Sequence, residues 1–346
     1  GKNMEAKIQP KILAEKRKEL GRIVPIDVPF SVQIDICSAC NFKCNFCFHS
    51  DIAAVEKANV KFGSMSYELF CKIIDDMKRE WKTKGKVKKL RLFKVGEPLL
   101  NKNVCEMIHY AKSADVAEKI EITTNGSMLN PELNQKLIDA GLDILNISVN
   151  GINEAQYKKV CNYEMSFDEY LSNIRDFYER KADKCRLTIK YSDIGYTDEI
   201  NQKFYEIFSD KCDEMFVETI SDTLWQDTNI SKNVKKAQVG TYGDEIVQKK
   251  VCPFLFTTLV INESGIAHLC CVDWKNEYML GDLNKESINS IWTGVILRKY
   301  QMLHLKGNKD KMDLCKKCQS LSANTPDNLD LYADQVLARM ESGGIS

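Results

Sequence analysis

The sequence predicts an α/β fold built on a parallel sheet, and three observations carry that expectation. Short apolar runs alternate with longer helical patterns from about residue 30 to 220. Each of the six runs except the last is followed by a helix. The densest cluster of chemically active side chains, the four cysteines of "VQIDICSACNFKCNFCFHSD", comes directly after the first run. Strand–helix repetition requires crossovers, which are right-handed and yield a parallel sheet. Six such units form either an open doubly wound sheet or an incomplete (β/α) barrel, and in both the loops after the strands' carboxyl ends line the site.

The elements follow in order. "SVQIDI" reads as the first strand, and "MSYELFCKIIDDMK" as a helix with Phe70, Ile73, Ile74 and Met77 at helical spacing and Ser66 as N-cap. "KKLRLF" is the second strand, "NVCEMIHYAKSA" a helix, and "KIEITT" the third strand. The next helix opens at Asn130 and Pro131 and closes at Gly141. "DILNISV" is strand four, 154–180 is largely helical, "RLTIKY" is strand five, "DEINQKFYEIF" a helix and "EMFVETI" strand six. The polar, aperiodic stretch after Ile220 reads as a linker. "FTTLVINESGIAHLCC" is a hairpin turning at 262–265, and "KESINSIWTGVILRKYQMLH" a helix with Ile288, Ile291, Trp292 and Ile296 on one face.

Composition narrows the function classes. Lys+Arg and Asp+Glu both number 49, so the charge pattern gives no footprint for nucleic acid or an acidic membrane. No apolar run reaches membrane-spanning length, and the polar start lacks a signal-peptide core. Fourteen cysteines without an export signal are expected in a reducing cytoplasm, as metal ligands, catalytic groups or small buried residues. Cys71, Cys105, Cys161, Cys185 and Cys212 are isolated and expected to be packing residues. The others gather early (Cys37, Cys40, Cys44, Cys47) and late (Cys252, Cys270, Cys271, Cys315, Cys318).

Cys40, Cys44 and Cys47 form C-x3-C-x2-C, a spacing that lets three thiolates converge on one face of an iron–sulfur cube and leaves one iron free. Including Cys37 gives four ligands and a closed cluster, and a zinc knuckle is the competing reading. "CNFKCNFC", with the aromatic Phe46 before its last cysteine, resembles the signature loop of the radical S-adenosylmethionine (SAM) enzymes. The resemblance implies a partial (β/α)6 TIM-like barrel, with Cys40, Cys44 and Cys47 as ligands of a SAM-binding 4Fe–4S cluster and Cys37 unassigned. It also implies that Gly96, Glu97 and Pro98 receive the methionine amino group, and that Ser148 and Asn150 hold the ribose. Thr124 and Asn125 would face the same cavity. Many relatives carry an arginine after strand four; here "EAQYKKVCNYE" offers Lys158, Lys159 and Cys161, which lack its bidentate fork.

The late cysteines suit structural zinc or a cluster equally well by themselves. Beside the front half, Cys252, Cys270, Cys315 and Cys318 resemble the ligands of a SPASM/twitch-type extension, a small β-hairpin and helix holding one auxiliary 4Fe–4S cluster. The spacing from Gly265 favours Cys270 over Cys271. The expected domains are an N-terminal helical extension over 1–29, the barrel over 30–222, a linker over 223–251, the auxiliary domain over 252–325 and a tail over 326–346.

What the resemblance implies is an oxidoreductase. It would cleave SAM reductively to a 5′-deoxyadenosyl radical, abstract hydrogen from a substrate C–H bond and pass an electron to the auxiliary cluster. Oxidation of a sugar, aminocyclitol or polyol alcohol is expected, as in the twitch-type aminocyclitol dehydrogenases, with Lys190, Tyr191 or Glu218 as base. Radical epimerisation is the alternative, with Cys37, Cys161 or Cys271 as thiol donor. Peptide maturation is another, although 1–29 is expected to be too short for a leader-binding domain. A zinc-binding structural protein is the non-enzyme alternative. The partners expected are a carbohydrate-like or peptide substrate and a flavodoxin or ferredoxin reductase, with no nucleic acid and no membrane.

Overall fold

The computed structural model describes residues 5–11, 19–319 and 326–343. Six parallel strands form its centre: β2 (Ser31–Ile34), β3 (Val87–Arg91), β4 (Ala117–Thr124), β5 (Ile144–Val149), β6 (Arg186–Asp193) and β7 (Glu214–Thr219). They lie in sequence order, each hydrogen-bonded to the next, as right-handed crossovers require. The partial barrel expected from the sequence is therefore the observed α/β architecture. Its outer face carries α2 (Tyr67–Trp81), α3 (Val104–Ala114), α4 (Pro131–Ala140) and α6 (Phe167–Lys181), which pack on one another in that order.

Local signals explain these helices. Ser66 Oγ accepts from Leu69 N at 3.1 Å, and Asn130 Oδ1 from Leu133 N at 2.8 Å with Pro131 following. Gly141 ends α4 at φ 98°, where a Cβ is strained. The stretch 154–180 splits into α5 (Glu154–Cys161) and α6. A short helix not expected from the sequence, α1 (Ile52–Ala58), follows the cysteine loop, and α7 (Asp198–Phe208) precedes β7.

The sheet does not stop at the barrel. The extension's hairpin, β8 (Thr258–Ile261) and β9 (Ile266–His268), joins through β8 pairing in parallel with β2, and β10 (Met279–Asp282) adds an antiparallel edge. One sheet of ten strands results, with β1 (Lys7–Ile8) on the far edge beside β7. Where a helical extension was expected over 1–29, the described residues give this strand and a single 3-10 turn at Leu20–Arg22. The helical expectation over 1–4 and 12–18 falls outside the described residues. The helix expected after residue 285 is broken into α8 (Ile288–Trp292) and α9 (Val295–Leu305). Gly294 sits at the break, where a Cβ would come 2.6 Å from Ser290 O. The break turns Ile296 outward at 44 % exposure while Ile288, Ile291 and Trp292 stay buried. Among the described residues no helix is long and apolar enough to cross a membrane.

One buried carboxylate joins barrel to extension. Asp76 on α2 accepts from Lys72 Nζ and Arg79 Nη2, both at 2.7 Å, and from the backbone N of Ile288 at 3.2 Å. Asp76→Ala leaves that buried N–H unpaired and is expected to lower stability by about 2 kcal/mol. Chemical denaturation followed by circular dichroism checks this, and an unchanged midpoint would exclude the tether.

Candidate active site

The sheet's two faces are chemically opposite. Ile120, Ile122, Leu145 and Ile147 are all within 1 % of full burial and pack under the helices. The residues between them turn to the other face, as the period of two dictates. There Asn146 Nδ2 donates to Glu121 Oε1 at 2.9 Å, Arg91 Nε donates to Glu121 Oε2 at 3.0 Å, and Lys190 pairs with Glu218 at 3.4 Å. The barrel therefore has a charged interior. Burial alone would push the Glu121 carboxyl up, but Arg91, Lys89 and Lys11 together outweigh it and hold it at about 2.

The cysteine loop leaves the end of β2 and is pinned from three strand-end loops. Ala39 O accepts from Glu97 N at 2.8 Å. Asn125 Nδ2 donates to Asn41 Oδ1, and Asn41 Nδ2 to Ser127 Oγ, each at 2.9 Å. Lys43 N and Asn45 N donate to Cys161 O and Val160 O at 2.9 and 2.8 Å, at the end of α5. Cys40, Cys44 and Cys47 share one space: the thiolate of each of the first two disfavours ionisation of Cys47, and Cys44 that of Cys40. Burial pushes Cys40 up to about 12 and Cys47 higher still. Three neutral thiols crowded together are what a cationic iron centre would deprotonate on binding, so the donor set fits a cluster. Cys37, by contrast, donates to Ala39 O at 3.6 Å and bridges to Ser64.

Gly96 permits this crowding. A Cβ there would stand 2.1 Å from Cys37 O and 2.6 Å from Ala39 O, so the backbone after β3 lies directly on the cysteine loop. The Glu97 carboxylate is turned into the protein: it accepts from Thr124 Oγ1, from Asn125 N at 2.9 Å and from Leu99 N at 3.4 Å. Burial raises it to about 7 despite those bonds. Pro98 is buried behind it and opens the 3-10 turn Pro98–Leu100. Thr124 and Asn125 are thus occupied in bracing Glu97 and the loop. Asn150, at the end of β5, donates from Nδ2 to Cys44 Sγ at 3.8 Å and leaves its buried Oδ1 without a partner. Ser148 is half-buried on the inner face opposite Lys190, and Phe46 is half-buried against the core. Cys161 reaches the Cys44 thiol, whose ionisation that hydrogen bond and burial both oppose.

A second set of thiols lies in the extension. Cys252, Cys270, Cys315 and Cys318 line one small cavity together with Leu255 and Leu269, while Cys271 does not. Burial and the Cys318 charge push Cys252 up to about 12, again a donor set awaiting a cation. Among the described residues no three His, Cys, Asp or Glu side chains meet at single-ion distance.

Several functional contacts escaped the sequence reading. Lys94, two residues before Gly96, donates to His268 Nε2 at 2.8 Å, which directs the ring's Nδ1–H to Asp273 at 3.3 Å. Burial, then Lys94, lowers His268 to about 4, so the ring is neutral. Phe48, in the loop after Cys47, stacks on Trp274 at 4.9 Å and meets Trp225 at 4.9 Å. Of the three suggested bases, Lys190 and Glu218 face each other inside. Tyr191 does not: its ring stacks on Phe204 of α7 at 5.0 Å and its hydroxyl accepts from Gln156.

Residues 34–206, half of the chain, match the family model described as the Radical SAM superfamily. The chain belongs to the radical SAM superfamily. Residues 252–319 match the SPASM iron–sulfur cluster-binding domain, which sets the zinc-protein alternative aside. The cofactors of this radical SAM enzyme are accordingly S-adenosyl-L-methionine and 4Fe–4S clusters, including an auxiliary one. Similar curated proteins include the probable GTP 3',8-cyclase of Methanocaldococcus jannaschii, 31% identical over 146 residues (38% of this chain, 40% of that protein). Another is the GTP 3',8-cyclase of Staphylococcus haemolyticus, 30% identical over 164 residues (47% and 45%). The chain thus spans less than half the length of these relatives. Among solved structures, BtrN in complex with AdoMet and 2-DOIA aligns with TM-score 0.54 at 16% identity, covering 88% of this chain and 98% of that one. SuiB of Streptococcus suis aligns with TM-score 0.59 at 13% identity, covering 80% and 67%. These likenesses concern the fold.

Proposed function

We propose that this radical SAM enzyme oxidises an alcohol of a small polyol such as a sugar or cyclitol, with Cys40, Cys44 and Cys47 holding the SAM-binding cluster and Cys252, Cys270, Cys315 and Cys318 the auxiliary one. The observation that carries the reading is the second cavity, whose four thiols would leave a cluster no open iron for substrate. When bound, the first centre supplies a carbon radical that abstracts hydrogen, and the second accepts one electron.

The chain's own residues supply the rest. Gly96 brings backbone against the cysteine loop, where backbone carbonyls would suit the methionine ammonium; Ser148 and the unpartnered Asn150 Oδ1 suit ribose hydroxyls. Glu218, buried and paired with Lys190, would take the hydroxyl proton. A CH–OH carbon that loses a hydrogen atom, a proton and an electron becomes a carbonyl. In this scheme the barrel would serve bond cleavage and the extension over 252–325, joined to it through the linker over 223–251, would serve the electron.

A second reading, epimerisation, rests on Cys271. Its thiol lies off the second cavity and feels Arg91 and Lys94 of the barrel. Anaerobically reconstituted protein is expected to carry about eight iron and eight sulfide per chain. With SAM, reductant and a panel of sugar phosphates and uncharged polyols in D2O, oxidation gives a product two hydrogens lighter that hydrazine captures. Epimerisation gives one deuterium at unchanged oxidation level and is lost in Cys271→Ala; that pattern would overturn the oxidation.

A further inference from the structure

The inner face of the barrel carries more positive charge and more unmet hydrogen-bonding capacity than the fold needs. Glu121 is taken by Arg91 at 3.0 Å and Lys89 at 3.7 Å, and Glu218 by Lys190 at 3.4 Å. Lys11 enters from beyond β1, stands 5.9 Å over the Phe93 ring and makes no ion pair among the described residues. It nonetheless feels Lys190, Glu218, Arg91 and Glu121, so the two ion pairs and Lys11 share one space. Burial, then Lys190, lowers Lys11 to about 7.

Arg91 is held by one edge only. Its Nε is bound to Glu121 and its guanidinium lies 4.8 Å over Phe93, while its Nη groups make no hydrogen bond among the described residues. Beside it, three side chains at least nine-tenths buried have polar atoms without partners: Gln33 Oε1, Asn146 Oδ1 and Thr188 Oγ1. Register puts them on the same face, since Gln33 pairs with Arg91 and Thr188 with Asn146, whose amide already reaches Glu121. Buried polar atoms left without partners leave hydrogen-bonding capacity on this face for a bound molecule to meet.

We propose that this face binds the phosphate group of a phosphorylated sugar or polyol, with the Arg91 guanidinium as its anchor and Lys11 and Lys190 flanking it, while Gln33, Asn146 and Thr188 take the sugar hydroxyls. A planar fork backed by two ammonium groups matches a phosphate dianion. The same charges oppose an aminocyclitol, itself a cation. The assignment rests on the barrel interior being the substrate site of the proposed oxidation.

Binding is measured without turnover, by anaerobic calorimetry on cluster-loaded, SAM-bound protein, with glucose 6-phosphate, inorganic phosphate, glucose and 2-deoxystreptamine as probes. Glucose 6-phosphate should bind tightest. Arg91→Gln should weaken it about 10- to 100-fold, and Lys11→Gln, outside every strand pair, by a smaller factor. Lys203→Gln, on the outer face of α7, should not change it. Equal binding of glucose and glucose 6-phosphate, tighter binding of 2-deoxystreptamine, or unchanged affinity in both Arg91→Gln and Lys11→Gln would overturn the assignment. Phosphate binding without an oxidised product would sink the oxidation alone, and oxidation of a neutral polyol without phosphate binding would sink this inference alone.

Discussion

Cys44→Ala is expected to reduce SAM cleavage to background while about half of the iron, that of the auxiliary cluster, stays bound. Cys44 is the middle cysteine of the loop and the most enclosed: it is 8% exposed, Asn150 Nδ2 stands 3.8 Å from its sulfur, and the Cys161 thiol reaches it as well. No water-exposed group can replace it there. Cys161 is the one neighbouring thiol that a substitution could recruit, so the decisive protein is the double variant Cys44→Ala/Cys161→Ala. Residual cleavage in the single variant that disappears in the double would mark Cys161 as the substitute ligand. Wild-type rates of 5′-deoxyadenosine release from the double variant would remove Cys44 from the ligand set. Cys315→Ala should do the converse, lowering iron while the first site continues to cleave SAM.

How far the sequence alone reached depends on the range of the interaction concerned. Local signals were legible: Ser66, Asn130 and Gly141 end their helices where expected, and the cysteine loop follows the first barrel strand. Strand-end placement was legible too, but not the side to which a residue turns. Tyr191 was grouped with Lys190 and Glu218, yet neighbouring strand residues point to opposite faces, so Lys190 and Tyr191 could never share one cavity. The apolar Ile189 on the same side as Tyr191 held that information. Long-range partners were out of reach. Lys94 and His268 are separated by 174 residues, and nothing local to either foretells their 2.8 Å contact. The same holds for Lys11 above Phe93 and for β8 docking beside β2, which makes one sheet of two domains. A helix pattern also ran through Thr293 and Gly294 unbroken, because periodicity does not register a close approach such as that of Gly294 to Ser290 O.

Gly96→Ala is expected to be the most disruptive single-methyl change near the site. Its Cβ would fall 2.1 Å from Cys37 O, 2.4 Å from Ser38 C and 2.6 Å from Ala39 O, all backbone atoms that cannot swing aside as a side chain could. The loop is meanwhile held from behind by Asn125, Val160 and Cys161. Either the cysteine loop moves off its thiol geometry or the β3 end moves off the loop, breaking the 2.8 Å bond from Glu97 N to Ala39 O. Overpacking of this kind costs about 1–3 kcal/mol or more, and here the strain falls on the loop that carries Cys40, Cys44 and Cys47. Reconstituted Gly96→Ala should therefore lose iron from the first centre, keep the auxiliary centre and bind SAM weakly. Gly63→Ala is the matched control, since nothing lies within 4 Å of a Cβ there. If Gly96→Ala assembles both clusters and cleaves SAM as well as Gly63→Ala does, the close backbone approach is not what shapes the cofactor site. If it folds with a normal auxiliary cluster and an empty first site, the glycine is explained by contact with the cysteine loop rather than by any freedom of its own backbone angles.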